Sequence, residues 1–150
     1  MLYDPLLDKV VLIEQFRTGA CINGHNPWLL EVVAGVFDKD EQPEEVAMRE
    51  SEEEAGATVL DLIPIYEYFV SPGGTNEYLH LFCGRVDASK LGGIHGLPHE
   101  HEDIRAFTLS TQEAFNLLKE GKINTSPVII TLQWLQLNHQ WLRDLWQIKQ

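Results

Sequence analysis

Short blocks of apolar residues, separated by turn-forming residues, predict most of the β-strands of this chain. Blocks rich in β-branched and aromatic side chains are typical of strands when glycine, proline or polar residues bound them. The blocks lie at residues 10–16, 28–33, 58–70, 77–86 and 103–109, and Pro64 divides the third into one or two strands. The sequence SPGG at 71–74 predicts a turn, and residues 89–101 form a long loop rich in glycine and histidine.

Three segments carry the signals of helices. Residues 43–55 begin with proline, which suits a first helical turn, and a glycine follows where helices commonly end. Residues 110–121 open with the serine and glutamate of a capping box and close with glycine. The last helix begins at Ser126, and its stripe of tryptophan and leucine predicts core or subunit packing. Strands mixed with helices indicate the α/β class, with a mixed sheet covered by helices.

Composition limits the size of the fold and its partners. A chain of 150 residues with 44% hydrophobic residues suits one globular domain. The net charge is −12, and residues 38–54 hold nine acidic and two basic residues, which places −7 of that charge in one short segment. Nucleic acid is therefore not an expected partner, because phosphate backbones bind surfaces rich in lysine and arginine.

Cysteine usage and hydropathy point to the cytoplasm. Cys21 and Cys83 are the two cysteines, too few for a disulfide framework, and Cys83 stands in an apolar run that predicts a buried thiol. No apolar stretch approaches the length that crosses a bilayer, and the N-terminus has no apolar signal region. We expect a single domain in a reducing compartment.

The acidic helix carries the strongest chemical signal. Glu50, Glu53 and Glu54 have the spacing i, i+3 and i+4, which places their carboxylates on one helical face one turn apart. Like charges at this spacing repel, so a partner outside the helix is expected. Hard cations with oxygen ligands, Mg²⁺ or Mn²⁺, fit that role. A solvated acidic face that binds nothing is the alternative.

The spacing around this helix resembles the signature of the Nudix family. The signature has glycine, then glutamate, then arginine with three glutamates on one helix, then glycine and an apolar residue. The matching positions are Gly35, Glu41, Arg49, Glu50, Glu53, Glu54, Gly56 and Ala57. Ser51 departs from the pattern, because an aliphatic residue is usual there. Eight fixed positions make the match specific.

The resemblance implies an α/β/α sandwich and metal-dependent hydrolysis of nucleoside diphosphates linked to another group. It implies that Glu50 and Glu54 ligate Mg²⁺, with Mn²⁺ as a substitute, and that the carbonyl of Ala34 adds an oxygen ligand. Glu53 is implied as a ligand or a close supporting group, and Arg49 as the side chain that orients the carboxylates. Glu41 could ligate the metal or cap the helix.

Other segments resemble the ADP-ribose pyrophosphatase subgroup of the family over nearly the whole chain. These segments are residues 11–17, 27–35, 71–77, 93–97 and 100–105, together with Pro72, which follows Gly56 by sixteen residues. In that subgroup the products are AMP and ribose 5-phosphate, the glutamate matching Glu100 is the proposed general base, and Glu102 matches a member of the metal shell. Positions near the substrate match Arg17, Glu31, Gly35, Ser71, Gly73 and Glu77.

Several alternatives stay open. Arg17 suits a surface strand as well as a substrate contact, and Glu31 suits a simple ion pair with it. His99 and His101 suit an exposed loop, or a softer metal such as Zn²⁺. The substrate could be another nucleoside diphosphate sugar, or the chain could bind a nucleotide without catalysis. The subgroup also has an N-terminal segment that this sequence lacks, so the expected homodimer and the adenine pocket could be weakened.

Overall fold

A seven-stranded mixed sheet forms the centre of the molecule. The computed structural model describes residues 1–22, 24–37, 40–97 and 102–148. The strands are β1 (Leu2–Asp4), β2 (Lys9–Phe16), β3 (Trp28–Glu31), β4 (Asp61–Phe69), β5 (Tyr78–Arg85), β6 (Gly93–His95) and β7 (Ile104–Ser110). The helices are α1 (Thr18–Ile22), α2 (Pro43–Ala55), α3 (Thr111–Lys119) and α4 (Ser126–Ile148), with a 3₁₀ turn at Ala88–Lys90.

The strand order leaves an opening in the sheet. The order is β4-β5-β1-β2-β7-β6, with β1 parallel to β5 and antiparallel to β2. One edge of β2 pairs with β7, and the other edge pairs with β1 at residues 9–11 and with β3 at residues 13–16. Because β1 is short, β3 follows it along the same edge of β2. Two cavities are lined by residues of β5 and by residues in or just after β3.

Helices cover both faces of the sheet, as the alternation of β2 requires. Val10 and Leu12 point to the face that packs against α3 and α4. Val11 and Ile13 point to the opposite face, where they pack with Ala55 at the end of α2. Successive side chains of a strand face opposite sides, so an uninterrupted apolar run is buried on both. The expected α/β/α arrangement with a mixed sheet is confirmed.

Some elements differ from the sequence predictions. The strand expected at 28–33 ends at Glu31, and the segment expected at 58–70 is the single strand β4, with a register shift between Pro64 and Tyr66. Proline has no N–H to donate to a ladder, which suits an irregular position. Three elements were not predicted: β1, α1 and β6. β6 lies in the segment expected to be a long loop, and its three residues pair with β7.

The tryptophan and leucine stripe of α4 is mostly core, as predicted. Leu135, Leu142 and Trp146 are fully buried, and the indole Nε1 of Trp146 donates to Asp61 on β4 at 3.0 Å. Leu137 and Trp141 depart from this pattern because both are exposed. A bilayer-spanning helix is absent from the part of the chain that the structure describes.

The cysteines stand as the sequence predicted. Cys83 is fully buried in the core, and Cys21 is exposed, and both are free thiols. Burial raises the pKa of the Cys83 thiol to about 12. The thiolate is the reactive form of cysteine, so Cys83 is an inert packing residue.

We predict that Asp4 is a stability determinant remote from the acidic helix. Its side chain is 2% exposed and accepts hydrogen bonds from the backbone N–H groups of Leu6, Leu7 and Ala88. Asp4→Ala leaves these donors without their acceptor and should lower the free energy of unfolding by about 3 kcal/mol in urea denaturation. Asp87→Ala, which removes one exposed hydrogen bond to Ser89, should cost about 1 kcal/mol or less. Equal losses would contradict this assignment.

Candidate metal and diphosphate site

Helix α2 is fixed at both ends, and this determines where its carboxylates lie. Pro43 occupies the first turn, and the Glu45 side chain accepts from the backbone N–H of Gln42 at 3.0 Å. Gly56 ends the helix in the left-handed conformation, with φ of 61°, and its N–H bonds to the carbonyl of Glu52. Glycine adopts this conformation without steric cost. The helix therefore runs over residues 43–55, as predicted, with its C-terminal turn packed against the sheet.

Arg49 joins three carboxylates. Its guanidinium donates to Glu50 at 2.8 Å, to Glu53 at 3.2 Å and to both oxygens of Glu41 at 3.2 Å. The hydrogen bond with Glu41 and the charge of Glu50 raise the pKa of Arg49, so it stays a cation. A planar guanidinium can hold several carboxylates in fixed directions. The structure thus brings together four of the five charged side chains of the signature, all except Glu54.

Glu54 is the most deeply buried carboxylate of the group. It is 3% exposed, and one of its oxygens accepts the backbone N–H of Ala34 at 3.0 Å. Burial raises the pKa of Glu54 to about 8, and the charges of Glu50 and Glu102 act in the same direction. The pKa of Glu50 is also raised, first by burial. These three carboxylates therefore repel one another in a partly dry site.

Gly35 is required by a close approach to this cluster. An ideal Cβ built on Gly35 would lie 1.9 Å from Oε1 of Glu50. Real Cβ contacts are never this short, so any side chain at residue 35 would displace the Glu50 carboxylate. Gly35 follows Ala34 directly, so two consecutive backbone residues contact the carboxylates of Glu50 and Glu54.

Arg17 and Glu31 form a second charged pair near the carboxylates. Arg17 donates to both oxygens of Glu31, at 2.8 Å and 2.6 Å. This bond is the main reason that the pKa of Arg17 is raised, and the fields of Glu54 and Glu102 contribute. Arg17 is exposed, with 47% of its side chain accessible, so its charge remains available to a ligand.

A cavity of about 380 Å³ connects this pair with the start of α4. Arg17, Glu31, Ala34 and Glu77 line it, together with residues 125–128 at the N-terminus of α4. The N-terminus of a long helix carries unpaired N–H groups and a partial positive charge, which favour anions. Arg17 also lines this cavity, together with its partner Glu31. The sequence alone did not indicate that α4 contributes to the site.

The turn at 71–74 is not part of this cavity. The carbonyl of Ser71 accepts the N–H groups of Gly74 and Thr75, and Ser71 and Gly73 are exposed between β4 and β5. Glu77 follows the turn and does line the cavity. The structure therefore places Glu77 beside Arg17 and leaves Ser71 and Gly73 outside the walls.

Glu102, just before β7, is near enough to the carboxylates of α2 to act on them electrostatically. Its Oε2 accepts the N–H of Leu97 at 3.0 Å, and its charge acts on Glu50 and Glu54. The expected general base Glu100 lies outside the described residues, as do His99 and His101.

A row of aromatic rings beside Glu50 was not predicted. Phe37 contacts His80 at 5.5 Å between ring centroids, and His80 contacts Tyr78 at 5.4 Å. All three line a cavity of about 350 Å³ that also contains Glu50. Tyr78 and His80 share one face because they are two residues apart on β5. That spacing could have shown their common face, but nothing in the sequence linked them to Phe37.

The donor set suits a hard cation. Carboxylate and carbonyl oxygens are the ligands that Mg²⁺ prefers, and Mg²⁺ is commonly held by one or two carboxylates with waters and substrate phosphates. Among the residues that the structure describes, no three side chains of His, Cys, Asp or Glu come close enough together to hold a metal ion by themselves. An open, partly buried carboxylate pair is consistent with binding that the substrate completes.

The raised pKa of Glu54 predicts a pH dependence of stability in the presence of a chelator. The unfolded chain loses this proton near pH 4.5 and the folded chain near pH 8. Folding therefore holds the proton more tightly, and the free energy of unfolding should fall as pH rises between these values. Urea denaturation from pH 5 to pH 8 should show this decline relative to Glu54→Gln.

Glu52→Gln is the matched control, because Glu52 is exposed on the same helix. Its stability should change with pH as that of the unsubstituted chain does. A constant stability difference between Glu54→Gln and the unsubstituted chain across this range would show that Glu54 is not held protonated.

Several known proteins are similar to this chain in sequence. An ADP-ribose pyrophosphatase of Escherichia coli strain K12 is 47% identical over 144 residues, which are 96% of this chain and 69% of that protein. An ADP-ribose pyrophosphatase of Haemophilus influenzae is 47% identical over 148 residues, covering 97% of this chain and 68% of that protein. A GDP-mannose pyrophosphatase of E. coli O1:K1 is 34% identical over 140 residues, covering 93% and 72%.

A family model confirms the resemblance that the acidic helix indicated. The model of the NUDIX domain matches residues 2–132, which include α2, Gly35 and every strand of the sheet. The chain belongs to the Nudix family.

Proposed function

We propose that this chain hydrolyses the diphosphate of ADP-ribose to AMP and ribose 5-phosphate in a reaction that needs Mg²⁺, for which Mn²⁺ can substitute. The observation that carries the proposal is the buried carboxylate of Glu54, on which the charges of Glu50 and Glu102 both act, bonded to Ala34 on the wall of a cavity that Arg17 also lines. Two relatives with the printed name ADP-ribose pyrophosphatase, each 47% identical, support this substrate.

The carboxylates are the proposed metal ligands. Glu50, Glu54 and Glu102 would hold the cation, together with the carbonyl of Ala34. A bound Mg²⁺ would lower the pKa of a water molecule and neutralise charge that develops at phosphorus. Before metal binds, the proton on Glu54 limits the repulsion among the carboxylates. When Glu54 loses that proton, Glu50 and Glu54 are both charged and can bind a cation, so metal affinity should rise with pH.

Arg49 and Gly35 keep the carboxylates in place. Arg49 would restrain Glu50, Glu53 and Glu41 through the hydrogen bonds that it donates to all three. Glu53 is then a supporting residue with a second role as a ligand when substrate is present. Gly35 leaves room for Glu50. In this scheme the side chains are set before substrate arrives, which lowers the cost of ordering them in the transition state.

The cavity beside Arg17 is the proposed diphosphate site. Arg17, oriented by Glu31, and the N-terminus of α4 would attract the phosphates, and Glu77 would accept hydrogen bonds from a ribose hydroxyl. Ser71 and Gly73 would approach the substrate from the edge of the cavity. Glu100 is the proposed general base, and it would take the proton of the attacking water.

GDP-mannose or another nucleoside diphosphate sugar is the second candidate substrate. A GDP-mannose pyrophosphatase is 34% identical to this chain, and the same carboxylates would serve either diphosphate. The difference between substrates lies in the base and sugar contacts. A panel of both compounds compared by kcat/KM separates the two candidates, because this ratio measures discrimination between substrates.

The proposal treats the chain as one catalytic domain that works as a homodimer in the cytoplasm. Leu137 and Trp141 on α4 support self-association, since they expose apolar surface of the kind that subunit contacts bury. The net charge of −12 argues against nucleic acid as a partner.

Substitution of the carboxylates tests the reaction. Glu50→Gln and Glu54→Gln should each lower kcat/KM for ADP-ribose with Mg²⁺ by at least about 100-fold, because each removes a metal ligand. Glu52→Gln, on the solvent side of the same helix, should change it by less than twofold. AMP release measured by chromatography gives the rates.

Two results would count against the proposal. One is the absence of AMP with ADP-ribose and Mg²⁺ in the unsubstituted protein. The other is an equal rate in Glu54→Gln and Glu52→Gln, which would separate hydrolysis from the carboxylate cluster.

A further inference from the structure

The C-terminal end of α2 is in contact with a short segment, residues 92–97, that we call the docking segment. Gly56 ends the helix with φ of 61°, and an ideal Cβ built there would lie 2.8 Å from Cε1 of His95. His95 is held in turn by its Nε2, which donates to the carbonyl of Gly92 at 3.1 Å. The imidazole of His95 therefore lies so close to Gly56 that a β-carbon at residue 56 would collide with it.

A backbone hydrogen bond reinforces this contact next to the carboxylates. The N–H of Gly96 donates to the carbonyl of Glu53 at 3.2 Å. Glu53 stands beside Glu54, so the bond attaches the docking segment to the same helical turn that bears the carboxylate cluster. Carbonyls in the last turn of a helix have no partner within the helix, which makes this one a natural anchor.

The docking segment is equally close to Glu102. An ideal Cβ on Gly96, which has φ of 99°, would lie 2.6 Å from the Cβ of Glu102. The N–H of Leu97 donates to Oε2 of Glu102 at 3.0 Å, and the N–H of Glu102 donates to the carbonyl of Leu97 at 3.4 Å. Both the backbone and the carboxylate of Glu102 are thus bonded to the docking segment.

We propose that His95 and Gly56 are positioning residues that set the distance between Glu102 and the carboxylates of α2. The contact of His95 with Gly56 fixes the docking segment on the helix, and the docking segment fixes Glu102. Neither residue touches the metal or the substrate in this scheme. The inference rests on the proposed metal site, but it makes a separate claim about which contacts build that site.

Gly56→Ala tests the contact, and Gly121→Ala is its matched control. Gly121 follows the end of α3 with φ of 70°, but an ideal Cβ there meets nothing within 4 Å. Both substitutions place an alanine in the left-handed conformation just after a helix, so both should cause similar backbone strain. Gly56→Ala also forces a methyl group into His95. The two variants should lose similar thermal stability from strain, and any difference between them in metal binding reports the contact.

Binding of Mn²⁺ without substrate, followed by electron paramagnetic resonance, is the readout. Gly56→Ala should weaken Mn²⁺ binding about 10-fold relative to Gly121→Ala, as expected when a group that orients a ligand is lost. The Mg²⁺ concentration for half-maximal hydrolysis should rise by a similar factor, with a smaller change in KM for ADP-ribose. Equal Mn²⁺ affinity in Gly56→Ala and Gly121→Ala would overturn the proposal.

His95→Ala keeps the test decisive if Gly56→Ala does not fold. This variant removes the imidazole, leaves Gly56 unstrained and should also weaken Mn²⁺ binding about 10-fold. Unchanged affinity in a folded His95→Ala protein would overturn the proposal. If these variants bind Mn²⁺ more weakly but the unsubstituted protein does not hydrolyse ADP-ribose, the proposed reaction is contradicted and the positioning role is supported.

Discussion

The structure depends on keeping mutually repelling carboxylates together at the end of one helix. Glu50 and Glu54 lie in a partly dry site where burial disfavours their charge, and Glu102 adds a third negative group. Such an arrangement is unfavourable unless protons, a guanidinium or cations offset it. Arg49 and the N–H of Ala34 supply part of that compensation. The remaining imbalance is the reason that we propose the cluster as a site for a hard cation.

The fold meets this constraint by bringing bare backbone against the carboxylates. Gly35, in the segment that follows β3, leaves space for Glu50, and Gly56 ends the helix where the docking segment contacts it. Arg17 and the start of α4 line a cavity that also includes Ala34, whose N–H is bonded to Glu54. A diphosphate could therefore contact a bound cation on one side and the helix terminus on the other. The same few elements would set both the metal ligands and the anion site.

Local signals in the sequence were enough for part of this picture. Helix α2 runs over 43–55 as predicted, because its proline, its capping glutamate and its terminal glycine act within a few residues. The strands β1 and β6 were missed because three residues carry no measurable periodicity, and the pairing of β1 with β5 joins residues that are distant in sequence. For the same reason Glu102 could be assigned to the metal shell only by resemblance, while its attachment through His95 needed the three-dimensional contacts. The aromatic row of Phe37, Tyr78 and His80 likewise joins two segments that no pattern connects.

The central claim is that these carboxylates exist to bind divalent cations that act on a diphosphate. Crystals soaked with Mn²⁺ and a non-hydrolysable ADP-ribose analogue would test it most directly, with anomalous diffraction recorded at the manganese edge. The account predicts anomalous peaks within coordinating distance of the side-chain oxygens of Glu50 and Glu54, next to the phosphates of the analogue. Bound analogue with no anomalous peak at these carboxylates would contradict it.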